Sequence, residues 1–249
     1  MDNEFADRVI LVTGGTGGLG TSVANMFIKQ NPKVLVIAHR TEKDKSSFSN
    51  LLDEGGKEAI SKKTDTIVEF VKADVTTEDS VKAMITEIEQ KYDKIDILAN
   101  IVGGYMGGKS IEETTLGEFD FMININLKAA FLLTKYAISS MKLRSTGKIV
   151  HVSSASGVKA FGNDTAYSSS KAGLIRLVES VKEEVKNNGI NINCILPTII
   201  DTKANREAMP HSDFSKWLDP NDLARVILYL CSDSSKSING AAIRTDGRT

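Results

Sequence analysis

Tyr167 and Lys171 are residues whose types and spacing could move a proton. Four residues along a helix is slightly more than one turn, so both side chains would lie on the same side of a helix. A free tyrosine has a pKa of about 10 and is a poor acid or base at neutral pH. A nearby ammonium stabilises the phenolate, and lowering that pKa by about three pH units takes about 4 kcal/mol of differential interaction. The spacing therefore predicts a tyrosine whose pKa is lowered by the lysine, and the alternative is an ordinary polar helix start.

A pair of serines precedes this tyrosine at the end of a predicted strand. The strand is predicted over Lys148–Ser153, and Ser154 comes thirteen residues before Tyr167. Ligands of a doubly wound sheet bind outside the carboxyl ends of its strands. Ser154 could therefore hydrogen-bond the same substrate oxygen as Tyr167, whereas a purely structural serine is the alternative.

A glycine-rich loop follows the first predicted strand. Val9–Val12 leads into Thr13-Gly14-Gly15-Thr16-Gly17-Gly18-Leu19-Gly20, and an amphipathic helix pattern begins at Leu19. Glycines let a backbone approach a pyrophosphate closely, and the N-terminus of the next helix offers free N–H groups and a positive dipole end. Because the loop lies between a strand and a helix, it predicts dinucleotide binding rather than a flexible turn.

The end of the second predicted strand bears on which dinucleotide binds. Val34–Ala38 is followed by His39, Arg40 and Thr41, with no acidic residue to accept hydrogen bonds from a ribose 2′-hydroxyl. The guanidinium of Arg40 suits a 2′-phosphate instead. We therefore expect NADP(H) to be favoured over NAD(H), and the alternative is a solvated arginine.

Short apolar runs that alternate with amphipathic ones would position these residues. Strands are predicted at Val9–Thr13, Val34–Ala38, Ile67–Ala73, Ile95–Ala99, Lys148–Ser153, Ile190–Leu196 and Ala241–Thr245. Helices are predicted at Leu19–Gln30, Thr77–Lys91, Glu118–Lys142, Tyr167–Asn187 and Pro220–Leu230, and the polar segment Thr41–Asp65 is predicted to be an exposed helix and loops. This alternation predicts an α/β fold: a single doubly wound, Rossmann-type parallel sheet with helices on both faces, in one domain over residues 1–249.

Composition narrows the class of partner. The formal net charge of −1 gives no general drive toward nucleic acid or anionic lipid, and no apolar run approaches the length of a membrane span. Cys194 and Cys231 lie in apolar stretches and are predicted to be buried, reduced thiols. The three histidines show no metal-ligand spacing, so no metal site is expected and His151 is predicted to be a core residue. We therefore expect a cytoplasmic protein that acts on a small molecule.

The spacing TGxxxGxG at residues 13–20, together with YxxxK at residues 167–171, resembles the short-chain dehydrogenase/reductase family in its single-domain branch. The resemblance extends over essentially the whole chain. It implies a catalytic set of Asn126, Ser154, Tyr167 and Lys171, in which Lys171 also holds the nicotinamide ribose. The family pattern selects Asn126 rather than Asn124, which is expected to point elsewhere and to be structural.

The resemblance also implies a set of cofactor contacts that follow the carboxyl ends of several strands. These are Thr13, Gly14, Thr16, Gly18, Leu19, Gly20, Asp74, Val75, Asn100, Gly103, Pro197 and Thr202, besides Arg40, Tyr167 and Lys171. The chain departs from the family pattern at Ile101, Val102 and Thr198. Gly17 occupies the place where NADP-dependent members often carry a second basic residue.

The expected activity is NADP(H)-dependent interconversion of a carbonyl and a secondary alcohol, with Tyr167 as general acid and base and residues 198–218 as the substrate loop. One alternative is a dinucleotide-binding sensor or scaffold of the same fold that has lost catalysis. An epimerase or dehydratase of the family's longer branch fits the glycine spacing poorly. In the family, helices corresponding to 118–142 and 167–187 pair between subunits, so a homotetramer is expected, with a dimer as the alternative.

Overall fold

The computed structural model describes residues 3–42, 46, 48 and 65–246, and within them seven strands form one parallel sheet. The strands are β1 (Val9–Thr13), β2 (Val34–His39), β3 (Ile67–Lys72), β4 (Ile97–Asn100), β5 (Gly147–Val152), β6 (Ile190–Pro197) and β7 (Ala242–Thr245). Their order across the sheet is β3-β2-β1-β4-β5-β6-β7. The strand order therefore reverses between β1 and β4, and the crevice at their carboxyl ends is where ligands of such sheets bind.

Helices connect the strands and cover the sheet. They are α1 (Gly18–Ile28), α2 (Glu78–Tyr92), α3 (Leu116–Met122), α4 (Ala129–Arg144), α5 (Thr165–Val185), α6 (Lys203–Ala208) and α7 (Pro220–Cys231). A π-helical segment, Ile123–Lys128, joins α3 to α4, and short 3₁₀ turns occur at Ala155–Gly157, Phe214–Lys216 and Asp233–Ser235.

The predicted doubly wound architecture is confirmed by two separate apolar cores, one on each face of the sheet. Alternate residues of β1 face opposite ways: Val9 and Leu11 pack with α2, α4 and α5, whereas Ile10 and Val12 pack with α1 and α7. Cys194 lies in the first core and Cys231 in the second, and both are buried free thiols as expected.

The helix predicted over Glu118–Lys142 is not one continuous α-helix. The helix starts earlier than predicted, with a capping box formed by Thr115 and Glu118. It then changes to π-helical geometry over Ile123–Lys128 before α4. A π turn accommodates an extra residue and shifts the direction in which side chains project, and such turns occur often at functional sites. Asn126 lies in this segment.

The predicted polar segment Thr41–Asp65 lies mostly outside the described residues. Among the helices that the structure does describe, none is both long enough and apolar enough to cross a membrane.

Candidate active site

Tyr167 and Lys171 lie in the first two turns of α5, on the same side, as their spacing predicts. The Nζ atom of Lys171 is 5.8 Å from the centroid of the Tyr167 ring. It donates a hydrogen bond of 2.9 Å to the carbonyl oxygen of Val152, the last residue of β5. Since Lys171 is only 4% exposed, an ammonium group is held at the carboxyl edge of the sheet away from bulk water.

Burial shifts both groups away from their charged forms. It lowers the pKa of Lys171 to about 8. It also raises the pKa of Tyr167, while a hydrogen bond with Ser154 lowers that pKa and the carboxylate of Asp164 raises it. The expected net lowering of the tyrosine pKa is therefore wrong in this structure, because burial of the hydroxyl raises the pKa by more than the hydrogen bond with Ser154 lowers it.

The two serines after β5 have different surroundings. The hydroxyl of Ser153 donates a hydrogen bond of 2.8 Å to the carbonyl oxygen of Lys171, so it fastens α5 to the strand end. The hydroxyl of Ser154 accepts a hydrogen bond from the backbone N–H of Ser156 at 3.1 Å and is hydrogen-bonded to Tyr167. The structure thus brings Ser154, and not Ser153, to the tyrosine hydroxyl.

Asn126 is buried, and its side chain makes three hydrogen bonds to nitrogen and oxygen partners besides a longer one to Met122 Sδ. Its Oδ1 accepts from the N–H of Gly104 at 2.9 Å, and its Nδ2 donates to the carbonyl oxygen of Gly104 and to the hydroxyl of Ser170, both at 3.0 Å. A Cβ atom on Gly103 would lie 3.0 Å from Asn126 Oδ1 and 3.1 Å from Lys171 Nζ. The loop after β4 therefore passes between Asn126 and Lys171, and a side chain at position 103 would crowd both.

A buried chain of hydrogen bonds lies behind the site and links three strands to a helix. Thr13 donates to Asn100 Oδ1 at 2.7 Å, Asn100 Nδ2 donates to His151 Nδ1 at 3.0 Å, and His151 Nε2 is 2.9 Å from the hydroxyl of Thr134. Because Nδ1 accepts, the imidazole proton is on Nε2 and is donated to Thr134. Asn100 ties neighbouring strands together. His151 is a core residue, as predicted.

The glycine loop and the ends of β2, β3 and β4 enclose a cavity of about 640 Å³. Gly14 adopts φ = +70°, and a Cβ atom there would lie 2.8 Å from the backbone nitrogen of Val102. Helix α1 begins after Gly17 with no side-chain cap and no acidic residue in its first turn, so its first N–H groups and its positive dipole end remain available to an anion. These features fit the pyrophosphate of a dinucleotide.

Six of the fifteen predicted cofactor contacts line this cavity. They are Gly14, Thr16, Arg40, Asp74, Val75 and Gly103. Leu19 and Gly20 are buried at the start of α1, so the side chain of Leu19 belongs to the core. Pro197 ends β6, and Thr202 caps α6 through the N–H of Asn205 at 3.2 Å. A Cβ atom on Gly18 would lie 2.7 Å from Thr202 Cγ2, so the substrate loop packs directly on the glycine loop.

Two cations line the cavity near Asp74. Arg40 and Lys128 both line it, and both lower the pKa of Asp74, after the larger effect of the hydrogen bonds from Thr76. Asn124 lines the same cavity, whereas the side chain of Asn126 is hydrogen-bonded to Gly104 and Ser170, so the two asparagines have different surroundings.

Lys128, Tyr105 and Asp164 lie near the site and were not predicted. Lys128 follows Phe121 by seven positions and Asn124 by four. This helical spacing could have placed Lys128 on the same face as Phe121 and Asn124. Tyr105 and Asp164 contact each other beside Tyr167, and no periodicity or motif in the sequence indicates that contact.

Known proteins are similar to this chain along its length. A family model described as short chain dehydrogenase matches residues 8–213. A 3beta-hydroxysteroid dehydrogenase of Mediterraneibacter gnavus is 29% identical, over 98% of this chain and 95% of its own. Zerumbone synthase of Zingiber zerumbet is 30% identical, over 96% of this chain and 93% of its own.

Solved structures are also similar to this chain along its length. The structure titled ElxO with NADP bound has a TM-score of 0.87 at 27% identity and covers 97% of this chain and 98% of that chain. Levodione reductase has a TM-score of 0.85 at 26% identity and covers 98% of this chain and 97% of that chain. The fold, the edge at which Tyr167, Lys171 and Ser154 meet, and the match of the family model over residues 8–213 lead to one conclusion: the chain is an enzyme of the short-chain dehydrogenase/reductase family.

Proposed function

We propose that this enzyme interconverts a carbonyl compound and a secondary alcohol with NADP(H), and that Tyr167 is its general acid and base. The observation that carries the proposal is the meeting of Ser154, Tyr167 and Lys171 at the carboxyl edge of the sheet, beside a cavity that fits a dinucleotide. We further propose that the chain is one catalytic domain with residues 198–218 as its substrate loop, and that it works in the cytoplasm as a homotetramer.

Each side chain has a distinct role in this proposal. The bound nicotinamide supplies or accepts the hydride. Tyr167 donates a proton to the carbonyl oxygen during reduction and accepts it during oxidation, and Ser154 hydrogen-bonds the same oxygen. Lys171 holds a positive charge near the phenol ring at pH values below about 8. Asn126 fixes the backbone of Gly104 and so the loop after β4.

The preference for NADP(H) rests on the two cations that line the cavity near Asp74. Arg40 offers a guanidinium fork to a 2′-phosphate, and Lys128 adds a second positive charge to the lining of the same cavity. Lys128 thereby takes the place of the basic residue that the glycine loop lacks at Gly17. The similarity to ElxO, whose solved structure contains NADP, supports the same cofactor.

Fluorescence titration of NADPH and NADH tests the cofactor. In Arg40→Ala and Lys128→Gln we expect the Kd for NADPH to rise about tenfold or more, since a hydrogen bond to a charged group contributes about 1.5–3 kcal/mol. The Kd for NADH should change little in either variant. Lys33→Gln, an exposed lysine just before β2, is the matched control. Equal binding of NADH and NADPH by the wild type would contradict the preference.

A panel of ketones assayed by NADPH oxidation tests the chemistry. Tyr167→Phe should still bind NADPH but lose turnover about 100- to 10,000-fold, because it cannot transfer a proton. Tyr229→Phe, on the exposed face of α7, is the control. Wild-type protein that binds NADPH tightly and reduces no member of the panel would favour the sensor or scaffold alternative.

A further inference from the structure

A second tyrosine packs against Tyr167. The ring centroids of Tyr105 and Tyr167 are 5.0 Å apart with an interplanar angle of 80°, an edge-to-face contact. Tyr105 lies in the loop after β4, and its hydroxyl donates a hydrogen bond of 2.9 Å to Asp164 Oδ1. The same loop is fastened again where the N–H of Gly108 donates to the carbonyl oxygen of Asn163 at 2.8 Å. The loop after β4 is therefore hydrogen-bonded to the two residues that directly precede α5, Asn163 and Asp164.

Asp164 accepts the hydrogen bond that holds Tyr105 in place. It precedes the first residue of α5, and its carbonyl oxygen accepts the N–H of Ser168 at 2.8 Å, but its side chain does not cap the helix. Aspartate favours the N-cap position because its carboxylate can accept a backbone N–H of the first turn. Here the carboxylate, in a residue only 9% exposed, faces Tyr105 instead. A Cβ atom on Gly107 would overlap Asp164 Oδ1 and the Tyr105 hydroxyl, so the contact is closely packed.

Groups of both signs face Tyr167. Lys171, on the same helix, holds its Nζ 5.8 Å from the ring centroid, and Ser154 offers a hydroxyl from the segment after β5. The negative charge comes from Asp164, and Tyr105 covers one side of the ring. Asp164 raises the pKa of Tyr167, and burial together with the hydrogen bond to Asp164 raises the pKa of Tyr105 to about 12, so Tyr105 itself stays protonated. The carboxylate thus shifts the pKa of the phenol in the same direction as burial does.

We propose that Asp164 and Tyr105 are positioning residues for Tyr167: Tyr105 fixes the carboxylate of Asp164 beside the catalytic phenol, and that charge keeps the phenol protonated and ready to donate to a carbonyl oxygen. A protonated Tyr167 favours the reduction step over the oxidation step, because reduction requires the protonated tyrosine and oxidation requires its conjugate base. The assignment of direction rests on the proposed function, whereas the effect on Tyr167 itself does not.

The test follows the phenol directly, in protein labelled with ¹³C at tyrosine Cζ and titrated by NMR with and without NADP⁺. The variant Tyr167→Phe identifies the Tyr167 resonance. In Asp164→Asn, which keeps an acceptor for Tyr105 and a favourable N-cap residue, the midpoint of Tyr167 should fall by about one pH unit. Tyr105→Phe, which keeps the ring and frees the carboxylate, should lower the midpoint by less. In the double variant the midpoint should fall no further than in Asp164→Asn alone, because Tyr105 acts through Asp164.

Glu87→Gln removes an equal charge from the exposed face of α2 and is the control, with the wild-type midpoint expected. An unchanged midpoint in Asp164→Asn overturns the proposal. So does a double variant whose shift equals the sum of the two single shifts, since that outcome means that each change merely loosens the site. Once an alcohol substrate is found, Asp164→Asn should oxidise it about tenfold faster at neutral pH, following the larger phenolate fraction. Absence of turnover in wild type would contradict the proposed function and leave the titration result standing.

Discussion

His151 is fully buried behind the site, and both of its ring nitrogens have partners. Burial, together with the charge of Lys171, lowers its pKa to about 3. Protonation would place a second cation behind Lys171 and would remove the acceptor that Asn100 uses. The imidazole is therefore a neutral hydrogen-bonding spacer between β4, β5 and α4, and its titration is coupled to folding.

This coupling predicts how stability depends on pH. Above about pH 6.5 His151 is neutral in both the folded and unfolded states. As the pH falls below that value the unfolded state takes up a proton that the folded state does not, so the free energy of unfolding decreases until the pH reaches about 3. Urea unfolding at pH 7 and pH 5 should show this loss in wild type and a smaller loss in His151→Gln, with exposed His211→Gln behaving like wild type. An equal loss in His151→Gln would contradict it.

At the scale of single residues, the positions of Tyr167, Lys171 and Ser154 were predictable from the sequence, but the electrostatics around them were not. The spacing of Tyr167 and Lys171 fixes which side of the helix they share, and that much was predictable. The net direction of the tyrosine pKa depends on burial and on Asp164, which a loop contact with Tyr105 holds in place. Contacts between two irregular segments leave no period in the sequence, so this part was not predictable.

At the scale of elements, the strands were predictable because β-branched runs alternate with amphipathic ones. The predicted first strand, Val9–Thr13, has the observed limits, and the others differ by one or two residues at one or both ends. The long helix before β5 was not predicted correctly, since the π-helical segment Ile123–Lys128 interrupts it. Apolar periodicity continues across such a segment, so the pattern alone does not reveal it.

The contact between the glycine loop and the substrate loop leads to a prediction about cofactor binding. In Gly18→Ala the new Cβ atom would lie 2.7 Å from Thr202 Cγ2, and Thr202 caps α6. Crowding of this kind costs about 1–3 kcal/mol. We therefore expect the Kd for NADPH, measured by fluorescence titration, to rise about tenfold.

Gly117→Ala is the matched control, because a Cβ atom at this position in α3 meets nothing within 4 Å. The control should keep the Kd for NADPH and gain about 0.5–1 kcal/mol in stability from the better helix propensity of alanine. Wild-type affinity in Gly18→Ala would show that Thr202 moves aside without cost, and that the two loops are not coupled in binding.

At the scale of the whole molecule, several large apolar side chains of α3 and α4 are exposed. Phe119 is 37% exposed and Phe131 48%, while Leu143, at the end of α4, is 84% exposed. Exposed apolar residues clustered on one pair of helices favour an interface with another protein surface. These helices belong to the predicted subunit contact, and a second copy of the chain would cover them.

The proposed homotetramer is therefore tested on α4. Replacing Phe131 with glutamate would bury a charge without a partner at the centre of the proposed contact, which is strongly unfavourable. Analytical ultracentrifugation should show a tetramer for wild type and a smaller species for Phe131→Glu, with the far-ultraviolet circular dichroism unchanged. Ile67→Glu, at an exposed position at the start of the edge strand β3, should keep the wild-type mass. A tetramer in Phe131→Glu would place the subunit contact elsewhere. A monomeric wild type would mean that the exposed apolar side chains of α3 and α4 serve another partner.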